Sequence, residues 1–189
     1  IPIFQKFSTK VGISGVMWEH SGNFEVIHQN QNMSSIIGVY ACKLDSKGRA
    51  SLPVGLKRQL LALGEGGFII KRSIFNQCLE LHSQAEWRKV SDQVGELNRF
   101  VKKNADFVRL FHAGVKLIDM DAAGRILIPK DLLRHANLTE GIVFSATTMG
   151  IEIWNEADYE KELNRDDIDI AALAEDVMGN QGEAHDDLS

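Results

Sequence analysis

One nine-residue pattern occurs twice in this chain of 189 residues and constrains the fold more than any other feature. Asp45-Ser46-Lys47-Gly48-Arg49-Ala50-Ser51-Leu52-Pro53 and Asp121-Ala122-Ala123-Gly124-Arg125-Ile126-Leu127-Ile128-Pro129 hold Asp, Gly, Arg and Pro at identical spacing, 76 positions apart (121 minus 45). A second matching block, Leu79-Glu80-Leu81 against Ile151-Glu152-Ile153, follows at an offset of 72 (151 minus 79), so the copies differ in length by four residues. Solenoid units recur at roughly 20 to 50 residues and need at least three copies. Two long copies predict instead two half-domains facing each other.

The residues around the pattern predict its local structure. Val39 to Leu44 and Val115 to Met120 are short and rich in β-forming side chains, and each runs into an Asp-x-x-Gly turn whose glycine supplies a positive φ. A return strand begins at Arg49 or Arg125 and stops at Pro53 or Pro129, where a missing N–H suits the first turn of a helix. Val54 to Leu63 and Lys130 to Ala136 are the predicted helices. Each turn then projects an arginine beside an acid able to orient it, with Asp45, Gly48, Asp121 and Gly124 forming the turns. A single Asp-x-x-Gly-Arg is most simply a solvated surface turn. Its duplication with the same flanking proline points to use.

At these residues the chain resembles the MraZ family of bacterial transcriptional regulators, built from two SpoVT-AbrB half-domains. The likeness runs from Met33 to about Leu173 and includes Cys78-Leu79-Glu80-Leu81 with Glu86-Trp87, Leu133-Arg134-His135-Ala136-Asn137-Leu138-Thr139, and Ile151-Glu152-Ile153-Trp154. It implies an α+β fold of duplicated AbrB-like swapped-hairpin β half-domains with pseudo-two-fold symmetry and intervening and C-terminal helices. It further implies a ring-like homo-oligomer that binds G-rich direct repeats upstream of the division and cell-wall gene cluster. Expected boundaries are a leader over 1–32, half-domains over 39–87 and 115–159, a helical connector over 88–114, and an acidic helix or tail over 160–189. The chemistry fits on its own terms, because an arginine fork matches the O6 and N7 acceptors of guanine in the major groove. Arg49 and Arg125 are therefore the candidate base readers, with Lys47 and nearby Lys43 as phosphate contacts. Ala122 and Ala123 stand where the first copy has Ser46 and Lys47, so the first turn is expected to contribute more.

A net charge of -5 at first opposes binding to a polyanion. Its distribution answers the objection: residues 33–82 hold seven basic and three acidic side chains, residues 116–160 four and eight, and residues 161–189 two and nine. The first half is the basic one. The acidic end, with Asp166, Asp167, Asp169, Glu183, Asp186 and Asp187, reads as a solvated, partly disordered tail. A cationic face this modest grips DNA weakly unless repeated, so a head-to-tail cyclic assembly presenting turns about every 10 base pairs is expected to be part of the mechanism.

Ser83 to Phe100 reads as a capped helix with Trp87, Val90, Val94 and Leu97 at helical spacing, and Phe107, Val108, Leu110 and Phe111 suggest a second. Trp87, Trp154 and Tyr159 read as packing residues, and His135 as a structural histidine near a helix end. Residues 1–32 lack clear periodicity, while Met33 resembles the family's usual start. Codons available to Val11-Gly12, Ser14-Gly15, Met17-Trp18-Glu19 and Ser21-Gly22 allow four GTGGG boxes spaced ten, ten and eleven nucleotides apart. The expectation is that this leader is operator DNA translated in frame; a genuine extension is the alternative.

Cys42 and Cys78 form no metal-like pair and read as core thiols in a reducing compartment, the scattered histidines make no ligand set, and no cofactor or metal is expected. No apolar segment approaches membrane-spanning length, so a cytoplasmic, nucleoid-associated protein is expected. Two competing classes stand beside DNA binding. Asp119 and Asp121 lie two apart and could pair as catalytic or metal-binding carboxylates, but no nucleophile or phosphate loop accompanies them. AbrB-type folds also serve as antitoxin-like protein-interaction modules.

Overall fold

The computed structural model describes residues 36–63 and 67–179, and the expected leader lies outside the described residues. The first copy runs β1 (Val39–Lys43), β2 (Arg49–Ser51), α1 (Val54–Ala62), β3 (Phe68–Arg72), β4 (Leu79–Ser83), α2 (Gln84–Gly95) and α3 (Lys102–Phe111). The second repeats the order as β5 (Lys116–Ile118), β6 (Arg125–Leu127), α4 (Lys130–His135), β7 (Gly141–Thr147), β8 (Gly150–Asn155), α5 (Glu156–Leu163) and α6 (Ile170–Gly179).

Strand pairing crosses between the copies. The main sheet has the order β1-β7-β8-β4-β3-β5, antiparallel throughout. The strand entering each turn therefore lies on the other copy's pair of strands: β1 on β7 and β5 on β3. Glu80 and Glu152 face each other where β4 meets β8, at the centre of the sheet. The return strands make a separate two-stranded ribbon, Arg49 opposite Leu127, Ala50 opposite Ile126 and Ser51 opposite Arg125. Each turn is closed by a single bridge of its own, Leu44 with Ala50 or Met120 with Ile126, before its strands diverge to partners in the other copy. This is the swapped, pseudo-two-fold α+β arrangement that the family resemblance implies.

The pattern of apolar residues explains why the exchange closes. Ala50 and Ile126 point inward from the ribbon and are fully buried, and α1 and α4 bring Leu56, Leu60 and Leu132 into the same core. Leu56 and Leu132 are equivalent positions, 76 apart, and burying each contributes about 1.5–3 kcal/mol. Pro53 and Pro129 sit at the N-caps of α1 and α4 with extended ψ, as their sequence position predicts.

Ser83 caps α2, its hydroxyl accepting the Glu86 N–H at 3.1 Å. The helix stops at Gly95 rather than running to Phe100. Asn98 takes the Phe100 N–H with its side chain and the Asn104 amide with its carbonyl, so a turn satisfies the backbone there. Trp87 stacks on Phe111 with ring centroids 5.5 Å apart, folding α3 back onto α2. Trp154 is buried beside Tyr159, and both cysteines are buried, their thiols pushed up to about 12 chiefly by that burial. Within the expected acidic helix or tail, Asp169 accepts the Ala171 and Ala172 N–H groups and starts α6, so Ile170 to Gly179 is helical. Glu183, Asp186 and Asp187 lie outside the described residues.

One buried polar cluster holds the connector to the sheet. Lys71, 1% exposed, donates to Glu80 at 2.7 Å and lies over the Phe111 ring, with His82 Nε2 3.3 Å from the same carboxylate. Burial works against ionisation of Glu80, yet hydrogen bonds from His82 and Lys71 and the lysine charge hold it down to about 2.

Gly48 and Gly95 test the backbone logic together. Gly48 has φ +81° and a Cβ there would stand 2.8 Å from Leu133 Cδ1, whereas nothing lies within 4 Å of one at Gly95. Gly48→Ala is expected to lower the unfolding free energy by at least ~1 kcal/mol and Gly95→Ala to leave it level or raise it by up to ~1 kcal/mol, read by urea denaturation.

Candidate nucleic-acid interface

Each Asp-x-x-Gly-Arg turn is wired in the same way. In the first, Asp45 Oδ1 accepts the Lys47 and Arg49 N–H groups, both at 2.9 Å, and Asp45 Oδ2 receives Arg49 Nε and an Nη at 2.6 Å. In the second, Asp121 Oδ1 accepts the Ala123 and Arg125 N–H groups at 2.9 Å, and Oδ2 receives Arg125 Nε at 2.8 Å and an Nη at 2.7 Å. Gly48 and Gly124 close the turns by donating to the Asp45 and Asp121 carbonyls. One carboxylate thus shapes the backbone with one oxygen and steers the guanidinium with the other. The pairing engages the Nε side of the arginine and leaves the N–H groups at its far end for another acceptor. An exposed ion pair of this kind adds little to stability; its effect is orientation.

The exchange of return strands brings the two arginines onto one surface. Side chains alternate along β2 and β6, so Ala50 and Ile126 enter the core while Arg49, Ser51, Arg125 and Leu127 share the outer face of the ribbon. Cross-bonds lock the two turns in register: Ile128 N–H donates to Gly48 O at 2.9 Å and Leu52 N–H to Gly124 O at 3.1 Å. The turns are near enough that the Asp45 charge, after Asp121, helps raise the pKa of Arg125.

Of the other expected residues, Lys47 is exposed at the tip of the first turn. Lys43 is exposed on β1 in a loose pair with Glu140 at 3.3 Å. Sequence reading missed Lys57. A Cβ placed at Gly124 would lie 2.7 Å from the Lys57 Nζ, so α1 of the first copy drapes a cation over the second turn. Leu133, 76 positions on, occupies the equivalent place over Gly48. The second turn, which has Ala123 where the first has Lys47, therefore acquires a lysine through space; comparing positions 57 and 133 in the duplication offered the only hint of it.

The competing carboxylate pair does not form as a strand-borne site. β5 ends at Ile118, leaving Asp119 beyond it, and Asp121 is committed to Arg125 and its own turn. Among the described residues no group of His, Cys, Asp or Glu is placed to hold a metal ion, and no helix is long and apolar enough to cross a membrane. His135 ends α4, where burial and then the Arg72 charge lower its pKa.

Asp45 gives the turn a measurable signature. Backbone and side-chain hydrogen bonds from Arg49 hold its carboxyl at about 2. A depressed carboxylate contributes above its unfolded pKa, near 4, and loses that contribution as pH falls through the folded value. The Asp45 carboxyl resonance is expected to titrate near pH 2 in the intact protein and to move up toward the ordinary range in Arg49→Ala. An ordinary midpoint in the unsubstituted protein would contradict the wiring.

Comparison with known proteins agrees with this architecture. The family model described as "MraZ protein, putative antitoxin-like" matches twice, over residues 36–110 and 111–180. A "Transcriptional regulator MraZ" of Flavobacterium psychrophilum is 51% identical over 148 residues, covering 78% of this chain and 94% of the relative. One from Christiangramia forsetii is 47% identical over 148 residues, 78% of this chain and 96% of the relative, and one from Pediococcus pentosaceus is 32% identical over 142 residues, 75% and 96%. With two matches spanning residues 36–180 and relatives this similar along nearly their whole length, the chain belongs to the MraZ family of transcriptional regulators, which are not enzymes.

Proposed function

We propose that this regulator binds double-stranded DNA sequence-specifically, laying the β2–β6 ribbon in the major groove so that Arg49 and Arg125 read guanine. The observation that carries the reading is the identical carboxylate-to-guanidinium wiring of two turns whose arginines share one exposed face. A two-stranded ribbon fits the width of the major groove, and each good bidentate contact to guanine discriminates by roughly 1–3 kcal/mol. Lys47 and Lys57 hold phosphates beside the first and second turns, with Lys43 at the edge, and Leu127 offers an apolar contact to a thymine methyl.

The binding site is a set of G-rich direct repeats in the protein's own promoter, upstream of the division and cell-wall gene cluster. A cyclic homo-oligomer repeats the ribbon along one face of the duplex, so that weak individual grips act together. The half-domain boundaries 39–87 and 115–159, joined by a connector over 88–114, follow the same reading, and such a protein works in the cytoplasm at the nucleoid. If residues 1–32 are translated operator, the DNA that encodes them is itself the ligand.

A gel-shift titration with that DNA tests the proposal. Arg49→Ala is expected to lose preference over scrambled DNA by about 10- to 100-fold, and Arg125→Ala to lose less. Lys47→Ala and Lys57→Ala are each expected to weaken binding to all sequences alike and to reduce the salt slope by about one. Undiminished binding after joint replacement of both arginines would favour the protein-interaction, antitoxin-like alternative.

A further inference from the structure

The hairpins β3–β4 and β7–β8 occupy matching places in the two copies and differ in how their glutamates are neutralised. Lys71 on β3 stands opposite Glu80 on β4, and the matching position on β7, Ser145, stands opposite Glu152 on β8. Glu80 thus has a lysine at 2.7 Å, whereas the Ser145 hydroxyl meets the Tyr159 hydroxyl instead. Glu152 accepts from Trp154 Nε1 at 3.0 Å and pairs with no cation among the described residues. Like charges directly opposite on neighbouring strands repel, and Glu80 and Glu152 are such a pair at the β4–β8 junction. Lys71 answers for one of the two carboxylates.

Glu152 opens onto an enclosed space. Side chains alternate across the sheet, so Leu79, Leu81, Ile151 and Ile153 enter the core shared with the ribbon, while Glu80, His82 and Glu152 line the other face. There they contribute to a cleft of about 440 Å³. Trp87 and Val90 of α2 and Phe111 of α3 supply its apolar wall, and Phe75 and Met149, both largely exposed, come from the turns after β3 and β7. Aromatic walls around a few convergent polar groups are the usual make-up of a small-molecule site. The unmet polar groups share one need. In the neutral imidazole, Nε2–H of His82 donates to Glu80, which leaves Nδ1 an acceptor, buried without a partner. A donor is missing, and beside Glu152 a positive one.

We propose that this cleft binds a small organic cation, a primary amine carried on an aromatic or branched aliphatic body. The ammonium donates to Glu152, standing to it as Lys71 stands to Glu80, and the body lies against Trp87 and Val90, where the indole face also attracts the charge. An anion would meet Glu80, Glu86 and Glu152 with Lys71 already engaged. The cleft lies on the face of the sheet away from the ribbon, so this inference stands apart from the DNA reading.

Ligand-observed NMR titrations of the full-length protein with phenethylamine, phenethyl alcohol and phenylacetate, which share one ring and differ in charge, test it. The amine is expected to bind about 10-fold more tightly than the alcohol, and the acid more weakly than either. Glu152→Gln keeps an acceptor for Trp154 Nε1 and is expected to bring the amine down to the affinity of the alcohol. Val90→Trp fills the cleft and is expected to abolish binding of both. Equal affinity for the three probes, an amine preference that survives Glu152→Gln, or no binding of the amine to the unsubstituted protein would overturn the proposal.

Discussion

The pairing of the two return strands is the constraint on which the remaining structure depends. β2 and β6 have only three residues each and would be negligible as separate strands. Joined, they bury Ala50 and Ile126 together, place α1 and α4 over one core, and hold each turn against the end of the other copy's strand through the Gly48 and Gly124 carbonyls. Neither copy can complete its sheet alone, because β1 finds its partner in β7 and β5 in β3. Folding therefore commits both halves at once, and the arginine turns inherit their mutual placement from that commitment.

Symmetric scaffolds leave room for asymmetric surfaces. At the turns the backbone wiring is the same in both copies, yet the cation arrives from Lys47 within the first turn and from Lys57 across the second. Leu133, the counterpart of Lys57, has instead become an apolar cover over Gly48. The helices that follow the last strand of each copy also differ, the first set more basic and the second acidic. Packing positions such as Leu56 and Leu132 stayed alike because a core tolerates little change in volume, while exposed positions were free to separate.

Much of this was legible in the residues. Asp-x-x-Gly-Arg with a following proline announced a turn, a short strand and a helix start, and Ser83 with Glu86 announced the capped start of α2. The stop of α2 was not legible, since the apolar spacing continues through Leu97 and only the competing hydrogen bonds of Asn98 end the helix at Gly95. A C-terminal helix was expected from the family resemblance, but acidic composition says nothing of a local cap such as Asp169, so its start at Ile170 was not legible. The approach of Lys57 to the second turn was invisible because it crosses the copy boundary.

By itself, then, the sequence determined the duplication, the wiring of each turn and the identity of the arginines, because Asp, Gly and Arg within five positions act through bonds that span only those positions. The tertiary structure alone decided that both arginines share one face, that a lysine from the first copy lies over the second turn, and that α6 leaves Ile170, Leu173 and Val177 exposed. Those outcomes depend on which distant strands pair, and the short strands concerned have no local signal strong enough to name their partners.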